Sequence, residues 1–184
     1  MILARARQAL LDYLPEDPRE QGFRRRMLEL LEQPAPTSRS SFTPGHLTAS
    51  GFVMSPERDA VLLIFHKKLG IWVQPGGHIE EVDASLQAAA RREVAEEVGI
   101  ELPDSAARVF DVDIHAIPAR KDEPAHEHFD VRYCFHAPTR DFVQSDEVAG
   151  ARWAELSKID QLTSDESVLR AARKLAGADR HHDH

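Results

Sequence analysis

The sequence is poor in the residues that would mark several kinds of protein. It has a single cysteine, Cys134, which excludes an internal disulfide and fits a reducing compartment. No stretch approaches the roughly 18 apolar residues that a membrane-spanning helix needs. Positive charge is in deficit: 23 Lys and Arg stand against 31 Asp and Glu, a formal net charge of −8. That balance speaks against duplex nucleic acid as a partner, because such binders present a basic face. It leaves a phosphorylated small molecule open, since divalent cations can stand between an acidic site and a phosphate. The first fourteen residues, MILARARQALLDYL, place two Arg and an Asp among spaced apolar residues. They read as an amphipathic helix and not as a secretory leader. The expectation is a cytoplasmic protein with no membrane partner.

What is present suits one globular domain with an appended element: 184 residues, 42% hydrophobic and 29% charged. Helical spacing runs through Ile2, Leu3, Ala6, Ala9, Leu10 and Leu14. It recurs from about Arg19 to Glu32, with Phe23, Met27, Leu30 and Leu31 apolar. The Pro- and Ser-rich segment QPAPTSRSSFTP (Gln33–Pro44) reads as a linker. The predicted organisation is a helical N-terminal extension over 1–40, a main domain over 41–178 and a disordered tail over 179–184. Strand-like runs occupy His46–Ser55 and Ala60–His66, separated by PERD, then IWV (Ile71–Val73), Arg108–His115, Phe129–His136 and Ala151–Ala154. One helix is predicted over about Ala84 to Val98, stopped by Gly99 in the left-handed cap position, and another over Ser164 to Leu175. Strands on both sides of a central helix predict an α/β (α+β) fold, a mixed sheet packed by helices.

The chemistry concentrates in GGHIEEVDASLQAAARREVAEEVGI (Gly76–Ile100). On the helix, Glu93, Glu96 and Glu97 fall within an arc of roughly 100°. Leu86, Ala90, Val94 and Val98 form an apolar stripe on the adjoining side. Like charges so close repel, and acids near a helix C-terminus oppose the macrodipole, so a compensating cation is expected. Oxygen donors without His or Cys favour Mg²⁺ or Mn²⁺ over Zn²⁺. Arg92, four residues before Glu96, can orient or partly neutralise it. The loop Gln74–His78, through Gly76 and Gly77, lets backbone groups approach a metal or a phosphate closely. A solvated acidic face explains Glu96–Glu97 taken alone. It does not explain the PGG before the helix, the Arg-Glu pair one turn earlier and the Gly-Ile directly after.

That stretch resembles the signature box of the Nudix hydrolases: G, five residues, E, seven residues, R-E-U, one residue, E-E, one residue, G-U, with U apolar. Gly77, Arg92, Glu93, Val94, Glu96, Glu97, Gly99 and Ile100 match. Asp83 replaces the first Glu, and eight residues, not seven, separate it from Arg92. The resemblance implies an α/β/α sandwich with a mixed sheet, covering about His46 to Leu156. It implies that Glu93, Glu96 and Glu97, with the carbonyl of Gly77, coordinate Mg²⁺ or Mn²⁺ on a diphosphate, and that Arg92 and Asp83 brace the site. The activity implied is hydrolysis of the diphosphate linkage in a nucleoside diphosphate derivative. Nucleotide sugars, including ADP-ribose, are favoured over nucleoside triphosphates, because added N-terminal helices suit a homodimer that encloses a two-part substrate. The alternatives are a triphosphate pyrophosphohydrolase and a non-catalytic nucleotide-sensing module. An isoprenyl-diphosphate isomerase would need a positioned thiol, and Cys134 reads as buried and inert.

Secondary candidates lie outside the box. Glu147, in QSDEVAGARW, and then Glu127, in AHEHFD, are candidates for a further acid serving as base or metal ligand. His126, His128 and Asp130 share one face if their segment is a strand. That spacing admits zinc, but lining of a substrate cleft or structural hydrogen bonds is the favoured role, and His128 is the substrate-binding candidate among them. The pattern His128, Asp130, Tyr133 with Gly45–Ser50 resembles a subgroup of the same family. Trp72 and Trp153 offer ring faces to a base, with packing favoured for Trp153.

Overall fold

The computed structural model describes residues 1–67 and 69–178. The tail expected over 179–184 lies outside them. Helices α1 (Ile2–Asp12) and α2 (Pro18–Leu30) open the chain, followed by strands β1 (Gly45–Met54), β2 (Ala60–His66), β3 (Ile71–Val73) and β4 (Gly76–His78). Then come α3 (Leu86–Val98), β5 (Val109–Ile117), β6 (His126–His136), β7 (Gly150–Glu155), a 3-10 turn (Leu156–Gln161) and α4 (Glu166–Ala178). This is the α/β organisation with an N-terminal pair of helices that the periodicities predict. No helix among the described residues is long and apolar enough to cross a membrane.

The chain divides into two compact units interleaved along the sequence. The first comprises Met1–Ser50, Gly76–Arg92 and Ala106–Tyr133. Here α1 and α2 bury Ala6, Leu10, Met27 and Leu30. Asp17 caps α2 by accepting the Arg19 N–H at 2.7 Å, and Pro18 sits in the first turn, where a missing N–H costs nothing. Arg24 donates to the carbonyls of Leu10 and Leu11 at 2.6 and 3.0 Å, satisfying the exposed end of α1. The segment read as a linker is tied down. Proline keeps its carbonyl although it lacks an N–H, and those of Pro36 and Pro44 accept the N–H groups of Leu47 and Glu127 at 2.8 and 2.9 Å.

β4 pairs antiparallel with β1, Thr48 opposite His78 and Ser50 opposite Gly76, where a loop was expected. Gly76 is required by this closeness: a Cβ there would lie 2.3 Å from that of Ser50. β5 pairs antiparallel with β6 from Val109–Tyr133 to Ile117–His126, with an irregularity between Val109 and Asp111. β6 begins at His126, three residues earlier than its apolar run suggests. Because strand side chains alternate, one face carries Asp111, Asp113, His115, His126, His128, Asp130 and Arg132.

Arg132 is the largest fully buried side chain among the described residues. Its guanidinium meets Asp130 at 2.9 Å, Asp111 at 3.2 Å and Asp113 at 3.5 Å. Burial opposes its charge, but the carboxylates of Asp130, Asp113 and Asp111 outweigh that and raise its pKa. Asp130 also accepts the hydroxyls of Thr48 at 3.1 Å and Ser50 at 2.7 Å. The network joins β1, β5 and β6 through buried charges that answer one another.

The second unit comprises Gly51–Pro75, Glu93–Ser105 and the chain from Cys134 on. β2 is its centre, pairing antiparallel with β3, β7 and the end of β1. Ala60 to Ile64 are all buried, as expected of a continuous apolar run. α4 is capped by Asp165, which accepts the N–H groups of Ser167 and Val168, and it buries Val168, Ala171, Ala172 and Leu175. Cys134 is half-buried, not buried as the apolar run around it suggests. Trp153 donates its indole N–H to the Arg140 carbonyl at 2.9 Å, and Trp72 stands edge-on to Phe65 at 5.4 Å, so both rings have structural neighbours.

Arg132→Met strips the cation from three buried carboxylates. Urea unfolding is expected to show a loss of about 3–5 kcal/mol; a loss below about 1 kcal/mol would mean the network contributes little.

Candidate functional site

Helix α3 has the face its sequence requires. Leu86, Ala89, Ala90, Val94 and Val98 are at most 1% exposed. Glu93 is half-buried, Glu96 exposed and Glu97 buried, so the three carboxylates run from the apolar border out to solvent. A surface face of ordinary acids would not carry one of them inside.

The start of α3 and the turn before it belong to the first unit and are organised by Arg92. Its Nε donates to Asp83 Oδ1 at 3.1 Å and its Nη2 to Asp83 Oδ2 at 2.9 Å and to the His78 carbonyl at 2.9 Å. Asp83 is 8% exposed, and its Oδ2 also accepts the Glu80 N–H at 2.8 Å. A planar guanidinium with parallel donors matches a carboxylate edge-on, a geometry that lysine cannot reproduce. Asp83 therefore faces Arg92 although one extra residue separates them and its side chain is a methylene shorter than Glu.

At the other end of α3, in the second unit, Gly99 has φ of +65° and its N–H bonds to the Ala95 carbonyl at 3.0 Å. The last carbonyls of a helix lack partners within it. Those of Glu97 and Val98 accept the N–H groups of Ser145 and Val143 at 3.0 and 2.9 Å. The segment 143–147 is thereby pinned to the helix end that bears Glu97. Glu147 lies two residues past that attachment, exposed, its N–H bonded to Ser145 Oγ at 3.3 Å. Lys67 also donates to the Asp146 carbonyl.

The other candidates are placed differently. Gly76 and Gly77 lie in β4, opposite Ser50 and Ala49, so their backbone is partly committed to strand pairing instead of forming an open loop. Glu127 points away from the face of His126 and His128, as alternation demands, and binds Arg26 of α2 at 2.5 Å. His128 lies within a group of histidines that the periodicity of β6 alone could not bring together. His46, His78, His115 and His126 have ring centroids 4.9–5.5 Å from that of His128. Burial pushes the His128 imidazole down to about 2, the neighbouring histidines acting in the same direction. The signal missed in the sequence is the regular placing of histidines at alternate positions of several strands; only their pairing register shows that they meet.

Comparison with known proteins bears on the family and the fold. A family model described as NUDIX domain matches residues 44–174. A hydrolase of the NUDIX family from Clostridium perfringens is similar in structure, with 24% identity over 71% of this chain and 96% of that one, TM-score 0.53. The NUDIX domain of Shewanella oneidensis NrtR complexed with ADP ribose gives 22% identity over 72% and 86%, TM-score 0.54. A MutT NUDIX hydrolase from Burkholderia pseudomallei gives 21% identity over 70% and 95%, TM-score 0.55. No curated protein sequence matches the chain.

The Arg92–Asp83 pair is testable by a double-mutant cycle. Arg92→Ala, Asp83→Ala and the double variant, compared by urea unfolding, are expected to give a coupling of about 1–3 kcal/mol. A coupling near zero would remove the pair from its bracing role.

Proposed function

On the premise that this chain belongs to the Nudix family and is a hydrolase of pyrophosphate bonds, we propose that it splits the diphosphate linkage of a nucleoside diphosphate derivative. Glu93, Glu96 and Glu97, with the Gly77 carbonyl, are the proposed holders of the divalent cations that Nudix hydrolases use. The carboxylates fit: three on one arc of α3 are hard oxygen ligands, suited to Mg²⁺ or Mn²⁺. When bound, such ions supply charge neutralisation on the diphosphate and activation of the attacking water.

The chain's own residues do the positioning. Arg92, occupied by Asp83 and the His78 carbonyl, fixes the beginning of α3 and leaves catalysis to the glutamates. Glu97, buried at the helix end, is held by backbone bonds from the segment 143–147. Fixed carboxylates lose little entropy on taking up a cation, which is how preorganisation raises affinity and rate. Glu147, on that attached segment, is the proposed further base or ligand. The observation that carries the reading is α3 itself, with its arginine clamped at one end and its three acids graded from solvent to core.

Among substrates, nucleotide sugars including ADP-ribose are favoured over nucleoside triphosphates. Support comes from the structurally similar NUDIX domain whose complex holds ADP ribose. The exposed Leu3, Leu11 and Leu14 of the N-terminal segment suit contact with a second copy of the chain. Light scattering is expected to give the mass of a dimer; a monomer would weaken this substrate preference.

Glu97→Gln is expected to lower kcat at least about 100-fold, since the metal-borne stabilisation at stake is several kcal/mol. Its unfolding midpoint should not fall, because one of three like charges is removed. Unchanged turnover, or an unfolded variant, would count against the role given to this residue. A panel of nucleotide sugars, dinucleoside polyphosphates and triphosphates with Mg²⁺ should show the highest kcat/KM for the sugars; a clear preference for triphosphates would reverse the substrate proposal.

A further inference from the structure

We propose that His46, His78 and His128 form a binding site for a divalent transition metal ion of the zinc class, using residues distinct from the glutamates of α3. The side chains come from three strands, β1, β4 and β6. One donor nitrogen from each lies within 4.8 Å of the other two. Zinc–nitrogen bonds of about 2.0–2.1 Å at tetrahedral angles put donor atoms roughly 3.4 Å apart, so small side-chain rotations close the set around one ion. Nitrogen ligands of this softness select zinc, cobalt, nickel or copper over magnesium.

The second observation is the state of His46. Its side chain is fully buried, and Nδ1 faces the Ser41 carbonyl at 3.0 Å. A carbonyl only accepts, so Nδ1 carries the proton and Nε2 presents a bare lone pair. That Nε2 is buried with no hydrogen-bond partner among the described residues. An imidazole fixed through one nitrogen by a carbonyl, with the other nitrogen open, is the arrangement that metal-binding histidines have. His126 is likewise held at Nδ1, which faces the Pro124 carbonyl at 2.9 Å, while its Nε2 lies 3.3 Å from Nε2 of His128, within hydrogen-bond distance. That spacing is what two ligands of one tetrahedral ion show, and it makes His126 the nearest source of a fourth donor. His115, directly opposite His128 in the strand register, has Nδ1 3.3 Å from an Asp113 carboxylate oxygen.

The surroundings keep the rings in the form that binds metal. Burial lowers the pKa of both His46 and His128, so both rings are neutral near pH 7, as ligation requires. A structural explanation without metal would need a purpose for five imidazoles packed ring to ring, one with an orphaned buried nitrogen. Stacking between His46 and His126, at 5.2 Å and 26°, supplies contact but no partner for that nitrogen.

The experiment uses the full chain with His181, His182 and His184 replaced by Ala, which removes the histidines of the tail. Metal-stripped protein is titrated with Co²⁺, followed by its visible absorption, and then with Zn²⁺. One equivalent of Co²⁺ should give the intense bands of a four-coordinate ion, displaced by one equivalent of Zn²⁺, and Zn²⁺ should raise the unfolding midpoint. His46→Gln and His78→Ala should each weaken Zn²⁺ binding at least about 100-fold. Since His46 is in the core, His78→Ala, at a half-buried position of a three-residue strand, serves if the first variant does not fold. Glu97→Gln should leave the bands and the Zn²⁺ affinity unchanged, which keeps this proposal separate from the carboxylate site. Absence of the bands, or their persistence in His78→Ala, would overturn it.

Discussion

The arrangement of this protein depends on one guanidinium. Arg92 spends three of its N–H bonds on Asp83 and on the carbonyl of His78, and so fastens strand β4 and the turn after it to the first half of helix α3. Everything assigned to chemistry in the first unit is reached through that fastening. The backbone of His78 is one of the groups it holds, and the side chain of His78 is one of the three proposed nitrogen ligands. Glu93, the next residue along the helix, begins the carboxylate series. A lysine would supply the charge but not the fork, and neither the turn nor the helix register would then be fixed by the same atoms.

Much of this was legible from residue types and spacing. The helix from the eighties to Val98, its left-handed glycine stop and the gradient from apolar stripe to glutamates all follow from local rules, because a helix satisfies its own hydrogen bonds and its faces depend only on a 3.6-residue period. What escaped was non-local. Gly76–His78 looks like an open glycine turn until its pairing with Thr48–Ser50 is known, and Gly76 then lies close against Ser50. The segment Gln33–Pro44 has linker composition, yet its proline carbonyls end the strand edges of β1 and β6. The cap Asp17–Pro18 is a local signal for the start of α2, whose apolar periodicity begins only beyond it.

The histidines show the same limit in its strongest form. Alternation along β6 suffices to put His126 and His128 on one side. It takes the register of β5 against β6 to add His115, and that of β4 against β1 to add His78. The result is a sheet face rich in polar side chains, with Arg132 and three aspartates at one part of it and imidazoles at another. A buried polar face is costly unless every group is answered. Around Arg132 the answer is internal, since opposite charges meet within 3.5 Å. Around His46 it is not, because one buried nitrogen has no partner among the described residues. The two parts of one face thus differ in kind: the first is complete as it stands, and the second is chemically complete only with something added.

Two donor sets of opposite character in one chain bear on which ions each would hold. Zinc binds most nitrogen and oxygen sites more tightly than magnesium does, so a carboxylate site alone has no defence against it except supply. An imidazole set of higher affinity would take up scarce zinc first and leave the carboxylates to the abundant hard cation. Neither set needs a rigid cage to discriminate; the softness of nitrogen against oxygen is enough. The neutral state that burial imposes on His46 and His128 strengthens this division, because a protonated ring would repel an ion that a neutral one attracts. The same desolvation that makes these histidines expensive to bury keeps them available as ligands.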